Sequence, residues 1–211
     1  MPPRPPVPAV RAAKALAWCA ILLFLGAAGP VERAQSLPEE KGLIALDVSL
    51  RRQIDKTSCG AAALQSVTEY WGNKTADQRT IIRDFPPKDG REGFSLGEMK
   101  RIALGLGFKA FVVAGAESFL VKQLDLGRPV IVPVTLEYGK DEAQTLGITA
   151  GEYEKIREKH NLRYNHYLVI IGHGNDSFVA LDPAKGIYKI GKKALEDIRA
   201  PHKRAALLIA L

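Results

Sequence analysis

Short β-rich runs separated by turns fill the last part of the chain, and this pattern constrains the fold more than any other feature. The turns contain Gly-Asn-Asp, Asp-Pro or glycine, as is typical between antiparallel strands. The predicted strands cover residues 164–171, 177–181, 187–190 and 205–210. Because helical patterns come before these strands, the sequence predicts an α+β fold in which N-terminal helices pack on a C-terminal antiparallel sheet.

The helical patterns lie mainly between residues 58 and 126. An apolar-periodic helix begins at Cys59, with Ser58 as its N-cap and Gly72 as its stop. Ser95 and Glu98 match the capping box that opens a helix running to about Leu104. The other predicted elements are helices over 75–83 and 116–126 and strands over 108–113 and 129–134.

Composition and charge exclude several classes of protein. Apolar residues make up 46% of the chain and charged residues 25%, which are the values of a globular protein. Of the net charge of +7, residues 1–34 carry +3, so the remainder is only mildly basic. Lysines and arginines are scattered, without a run of five like charges, so we expect no nucleic-acid partner. The single long apolar run excludes a multi-span membrane protein.

The N-terminus has the pattern of a secretory signal. Three basic residues precede the apolar run 15–28, which is too short for a comfortable membrane span and suits a signal h-region. Cleavage is expected after Ala28 or Ala34, and an uncleaved membrane anchor is the alternative. The predicted organisation is a signal peptide over 1–34, a lead-in segment over 35–47 and one domain over 48–211. We therefore expect a periplasmic or extracellular protein.

A polar, charged stretch at residues 139–163 is predicted to be an insertion in that domain, with one helix over 152–159. It is either a lid over a cleft or a surface decoration.

The cysteine count narrows the chemistry. Cys19 lies within the apolar run and is expected to leave with the signal, so the mature chain keeps only Cys59. A single cysteine cannot form an internal disulfide. It is a buried apolar side chain, an intermolecular partner or a reactive group. The four histidines and one cysteine show no ligand-pair spacing, so no metal or other cofactor is expected.

Cys59 lies where a cysteine can become a nucleophile. A free thiol titrates near pH 8.5, and a helix N-terminus or a neighbouring imidazolium favours the thiolate. The predicted helix supplies the first of these at Cys59. For the second, His166 stands out, because it begins the apolar strand Tyr-Leu-Val-Ile-Ile, whereas His160 and His202 lie in polar surroundings and are expected to be solvated. A histidine satisfied by backbone groups at a strand entry is the alternative.

Two further residues would complete a catalytic set. Asp182 ends the strand that follows the His166 strand, so a hairpin would bring it to the imidazole as an orienting group. Asn175 and Asp176 are alternatives, although they fit a tight turn better. Gln53 precedes Cys59 by six residues, and its amide could join the Cys59 backbone N–H as an oxyanion donor. An ordinary surface glutamine is the alternative reading.

At these residues the chain resembles the papain-like bacteriocin-processing cysteine peptidases, which cleave double-glycine leaders. The resemblance covers about residues 48–195. Its motifs are Gln53-x5-Cys59-Gly60-Ala61-Ala62, Gly93-Phe94-Ser95-Leu96-x2-Met99-Lys100, Gly105-Leu106-Gly107-Phe108, His166-Tyr167-Leu168-Val169-Ile170 and Leu181-Asp182-Pro183. The resemblance implies a papain-like fold and peptide hydrolysis through a thioester. It further implies that Cys59 is the nucleophile, His166 the base and acid, Asp182 the orienting group and Gln53 the oxyanion donor.

The chain also departs from the best-known members of that family. They are fused to a transporter and an ATPase, whereas this chain has no P-loop and no later apolar span, so no ATP binding is expected. They act on the cytoplasmic side, whereas this chain carries a predicted export signal. The expected partner is a peptide or protein substrate outside the cytoplasm. The alternatives are a non-catalytic peptide-binding module on the same fold and another thiol acyl-transfer enzyme, such as a cell-wall amidase.

Overall fold

The computed structural model of the chain describes residues 42–73, 75–139, 149–159 and 163–211. The predicted signal peptide, the first residues of the lead-in and residues 140–148 and 160–162 of the insertion lie outside these ranges.

The described residues form one seven-stranded sheet in which every neighbouring pair is antiparallel. The order is β2-β7-β3-β4-β5-β6, and β1 pairs with the end of β4. The strands are β1 (Ile44–Ala45), β2 (Lys109–Ala114), β3 (Val130–Glu137), β4 (Arg163–His173), β5 (Ser177–Asp182), β6 (Gly186–Gly191) and β7 (Ala205–Ala210).

Helices cover both faces of the sheet. They are α1 (Cys59–Tyr70), α2 (Gln78–Asp84), α3 (Leu96–Gly105), α4 (Glu117–Asp125), α5 (Ala150–Lys159) and α6 (Lys192–Arg199), and a 3-10 helix (Ala200–His202) follows α6. None of the described helices is both long enough and apolar enough to cross a membrane. The α+β fold predicted from the sequence is confirmed.

Two apolar cores explain why β4 is apolar along most of its length. Val169 and Ile171 point into the core formed with α1 and α3, while Leu168 and Ile170 point into the core formed with α4 and α6. A strand covered on both faces has no polar face to alternate with, so its sequence becomes a continuous apolar run. The sequence prediction does not specify this second core, in which helices from the middle and the end of the chain cover the face opposite to α1.

Helix α6 is the element that sequence reasoning missed. Most of its residues are charged or polar, and Leu195 is its one fully buried apolar side chain. No element is predicted for this segment from the sequence, although Ile198, three residues after Leu195, packs against the same core.

The caps of two helices differ from each other. Ser95 accepts a hydrogen bond from the backbone of Glu98, and the Glu98 carboxylate accepts one from Ser95 in return, so the predicted capping box is confirmed. Ser58 precedes α1 but does not cap it, which corrects the prediction. Its hydroxyl instead accepts hydrogen bonds from the backbone N–H groups of Ile54 and Asp55, both at 3.0 Å.

Two glycines fix how the first turn of α1 packs. Gly93 has a φ of +76°, and a Cβ there would lie 2.4 Å from the carbonyl oxygen of Thr57. A Cβ on Gly60 would lie 3.2 Å from the Cβ of Phe94. The segment around Gly93 therefore lies directly against the start of α1, and it forms one side of the cleft described next.

Candidate active site

An open cleft of about 520 Å³ runs over the N-terminus of α1. Cys59, His166 and Tyr167 contribute to its lining. One wall comes from residues between 88 and 98, before and at the start of α3, and the other from residues between 201 and 205, after α6. The cleft is thus bounded by segments from both helical layers and contains the predicted nucleophile.

Cys59 is the first residue of α1 and is 7% exposed. The first bond within the helix is donated by the Ala62 backbone N–H to the Ser58 carbonyl, at 2.9 Å. The amides of the first turn before Ala62 therefore have no partner within the helix, and Ser58 supplies no side-chain cap. Such a terminus favours a negative charge at the Cys59 position.

His166 lies in β4, opposite Val134 of β3, and is 4% exposed. Its Nε2 lies 2.8 Å from Oδ1 of Asp182, and its ring lies close enough to the Cys59 side chain for the two to interact. The imidazole therefore connects the first residue of α1 to the last residue of β5. The hairpin of β4 and β5 brings the two residues together as the sequence spacing predicts.

Asp182 is completely buried at the end of β5. Besides His166, the Asp182 carboxylate accepts hydrogen bonds from the backbone N–H groups of Ala184 and Lys185, at 2.7 and 3.1 Å, and from the hydroxyl of Tyr188 at 3.3 Å. Burial opposes its ionisation, but the bonds to His166 and to these N–H groups prevail and lower its pKa below the ordinary value of 3.8. The side chain is thus a fixed carboxylate.

The same contacts act on the imidazole of His166. Burial would lower its pKa, but the hydrogen bonds to Asp182 and Cys59 outweigh burial and raise the pKa from 6.5 to about 9. The protonated ring is therefore the favoured form at neutral pH.

This shift predicts how stability depends on pH. A group whose pKa is higher in the folded state stabilises the fold fully below its unfolded pKa, and that contribution is lost as the pH rises through the folded pKa. For His166 the loss falls between about pH 6.5 and about pH 9 and amounts to about 3 kcal/mol. Urea unfolding of the full chain across this range is expected to show the decrease, and His166→Ala is expected to abolish it.

His173 supplies a matched control, because it also lies in β4 and pairs with a carboxylate, Asp125, at 2.9 Å. His173→Ala should keep the decrease in stability between pH 6.5 and 9. An identical pH profile for wild type and His166→Ala would contradict the prediction.

Gln53 lies beside this network, and its amide is partly engaged. Its backbone N–H donates to the carbonyl of Pro183 at 3.0 Å, and its side-chain Nε2 donates to the carbonyl of Asp55 at 2.8 Å. Its Oε1 is buried without a partner among the described residues. The side chain is not one of those that line the cleft. Of the two hydrogens on Nε2, one has no acceptor among the described residues.

The other polar residues considered from the sequence lie elsewhere or differ from expectation. Asn175 and Asp176 are exposed in the turn between β4 and β5. His160 lies outside the described residues. His202 corrects the sequence prediction of a solvated side chain: it lines the cleft and contacts the hydroxyl of Thr135 at 3.0 Å through Nε2. Thr135 is 67 positions earlier in the chain, so no local signal could have revealed this contact.

Solved structures similar to this chain share its fold. The peptidase domain of Streptococcus ComA, a bi-functional ABC transporter involved in a quorum-sensing pathway, is 24% identical with a TM-score of 0.53, covering 76% of this chain and 96% of that domain. A C39-like peptidase from Bacillus anthracis is 15% identical with a TM-score of 0.58, covering 87% and 98%. A double glycine motif protease from an AMS/PCAT transporter, solved with the leader peptide, is 18% identical with a TM-score of 0.54, covering 79% and 93%.

A comparison with curated proteins finds no match. The model of the Peptidase_C39 like family matches residues 45–200, which include every predicted site residue and most of the chain. The resemblance seen in the sequence motifs is thereby confirmed. The chain belongs to the Peptidase_C39 like family and is a cysteine-type peptidase.

Proposed function

We propose that this chain hydrolyses peptide bonds through a Cys59–His166–Asp182 triad, with Gln53 as an oxyanion donor, and that it acts on a peptide or protein outside the cytoplasm. The observation that carries the proposal is the His166 imidazole, which is hydrogen-bonded to the buried carboxylate of Asp182 and lies beside Cys59 at a helix N-terminus that opens into a cleft. Each link has the chemistry that acyl transfer requires.

The first half of the reaction uses the charges already in place. The thiol proton of Cys59 already lies on His166 in the reactive ion pair, and the Asp182 carboxylate stabilises this imidazolium. The Cys59 thiolate attacks the scissile carbonyl carbon, and the carbonyl oxygen becomes an oxyanion. The Cys59 backbone N–H and the unassigned hydrogen of Gln53 Nε2 would donate to this oxygen. Gln53 must then approach the cleft, while its bond to Asp55 limits how far it moves.

The second half returns the protein to its starting state. His166 donates its proton to the leaving amine, the C–N bond breaks and the acyl group remains on Cys59 as a thioester. A water molecule then gives a proton to His166 and attacks the thioester carbonyl. The C–S bond breaks, the acid product leaves and the Cys59–His166 pair is restored.

Two observations support the substrate and the place of action. The AMS/PCAT protease that shares the fold was solved with a leader peptide, which supports a peptide as the substrate of this chain. The basic start and apolar run of residues 1–28 favour export, which would place the cleft in the periplasm or outside the cell.

The Cys59–His166 pair can be tested without a known substrate. In the full chain carrying Cys19→Ser, which leaves one thiol, the rate of iodoacetamide labelling at pH 6 would be compared with and without His166→Ala. Because the thiolate and not the thiol is alkylated, we expect the rate to fall at least about tenfold in the variant. Equal rates would contradict the activated pair, and the peptide-binding alternative would then be favoured.

The role of Gln53 is separable from the activation of the thiol. Gln53→Ala is expected to lower kcat for peptide hydrolysis by about 10²-fold while leaving the alkylation rate of Cys59 unchanged, because an oxyanion donor acts only in the transition state. Gln78 is a matched control, since its side-chain Nε2 also donates to a backbone carbonyl, that of Arg52, at 2.7 Å. A similar loss of kcat in Gln78→Ala would show that Gln53 acts only through local structure.

A further inference from the structure

The two walls of the cleft differ in charge as well as in origin. The wall before and at the start of α3 contributes the carboxylates of Asp89, Glu92 and Glu98 and one cation, Lys88. The wall that follows α6 contributes His202 and Lys203 and no carboxylate from the described residues. An extended substrate lying between these walls would therefore meet opposite charges on its two sides.

The backbone that presents Lys203 is unusual. Lys203 and Arg204 have φ angles of 54° and 53°, and they are the only non-glycine residues in the described ranges with a positive φ. This left-handed region is disfavoured for long side chains and is normally occupied by glycine or asparagine. Strained backbone of this kind persists where the surrounding structure enforces it, and it concentrates at functional sites.

A buried arginine enforces this conformation. Arg199 at the end of α6 is fully buried, and its Nη2 donates to the carbonyls of Gly115 and Arg204, at 2.9 and 3.0 Å. Its Nη1 donates to Glu196, whose other carboxylate oxygen accepts from Arg204 Nε at 2.7 Å. The loop is thus anchored by a buried side chain, and Lys203 is an exposed residue of the loop that lines the cleft.

His202 holds the same loop on the side of the sheet. It contacts the hydroxyl of Thr135 in β3, and burial lowers its pKa, so the ring is neutral near pH 7 and adds no charge to the wall. The Lys203 ammonium has no partner among the described residues, whereas Glu98 on the opposite wall is already bonded to Ser95 and to the Lys88 backbone. Among the described residues, Lys203 is therefore a cation without a carboxylate partner, on a backbone that is held in place.

We propose that Lys203 is the cation of a subsite that binds a carboxylate of the peptide substrate, an inference that rests on the proposed peptidase function. The carboxylate is either the side chain of an aspartate or glutamate near the scissile bond or the C-terminus of the peptide. The acidic opposite wall repels a carboxylate placed there, so the charge pattern also fixes the orientation of the substrate across the cleft.

The test uses binding, so that it does not depend on turnover. The full chain carrying Cys59→Ala would be titrated with octapeptide pools in which one position at a time is glutamate or glutamine, and with pools that end in an acid or an amide. At one position, or at the C-terminus, we expect the carboxylate to bind about fivefold more tightly than its neutral counterpart, and less so at high salt. The position of the preference identifies the source of the carboxylate.

Three variants of the Cys59→Ala chain test which lysine causes the preference for a carboxylate. Lys203→Asn keeps a residue that tolerates a positive φ but removes the charge, so we expect the binding ratio to fall to about one. Lys88→Gln removes a cation from the opposite wall, and Lys193→Gln removes one from the outer surface of α6. Both variants should keep the wild-type ratio between the affinities for the carboxylate peptide and its neutral counterpart.

Two results would overturn the inference: no position at which the carboxylate is preferred, or a preference that depends on Lys88 instead of Lys203. A preference that depends on Lys203 in a chain whose wild type cleaves none of the pools would support the subsite and contradict the proposed function. The two failures are therefore distinguishable.

Discussion

Hydrolysis of a peptide substrate is expected to fall at least about 10³-fold when Cys59 is replaced with alanine in the full chain. The sulfur is the atom that forms the thioester, and no other described side chain beside His166 supplies a nucleophile of comparable strength. The measurement is kcat/KM for a fluorogenic peptide drawn from a cleaved pool.

The control for this variant is Cys19→Ala, which removes the chain's other cysteine and should leave kcat/KM unchanged. Because alanine fits the small, buried first position of α1, the free energy of unfolding should change by about 1 kcal/mol or less in Cys59→Ala. A variant that is well folded and still cleaves the peptide at the wild-type rate would refute the role of Cys59.

The second large effect is expected at Asp182, where both stability and activity should be lost. Asp182→Ala leaves the protonated His166 and the backbone N–H groups of Ala184 and Lys185 without their buried acceptor. Removing one partner of a buried ion pair destabilises a protein by about 3–5 kcal/mol. Urea unfolding would measure this loss, and kcat should fall at least about 10²-fold because the imidazole is no longer held.

A conservative variant separates the two consequences. Asp182→Asn keeps the volume and one acceptor oxygen, so it should recover part of the stability while kcat stays low, because a neutral amide does not stabilise an imidazolium. Asp176→Ala changes a carboxylate in the turn of the same hairpin and should alter neither quantity. Wild-type kcat in a folded Asp182→Asn variant would contradict the role of the carboxylate.

Local signals in the sequence predict much of this site. A histidine at the entry of an apolar strand, an aspartate at the end of the next strand and a cysteine at a helix start each occupy a position that secondary structure fixes. Once the β4–β5 hairpin is recognised, its geometry brings His166 to Asp182. The predicted strand 205–210 matches β7 residue for residue.

The order of the strands is not readable in the same way. β2 pairs with β7, which follows it by almost a hundred residues, and that pairing carries the sheet beyond the C-terminal strands. Periodicity reports which residues are buried and not which distant strand lies beside them. The sequence therefore predicts the class of the fold but not which face of the sheet each helix covers.

The cleft wall that follows α6 could not be predicted from the sequence, for a related reason. Lysine and arginine give no signal for a left-handed backbone, and the fully buried Arg199 lies in a helix whose composition is that of a surface. His202 reads as a residue of a basic turn because its partner, Thr135, belongs to a strand far earlier in the chain. Features that depend on long-range contacts become visible only in three dimensions.

The place where β1 joins the sheet determines where a tether could be attached. β1 pairs with Gly172 and His173 at the far end of β4, seven residues beyond His166. At about 3.3 Å per residue this places β1 roughly 20 Å from the imidazole. An affinity tag, a dye or a solid support joined directly to Gly42 of a chain that begins there would therefore be attached far from the cleft, and an immobilised enzyme would keep its cleft open to the medium.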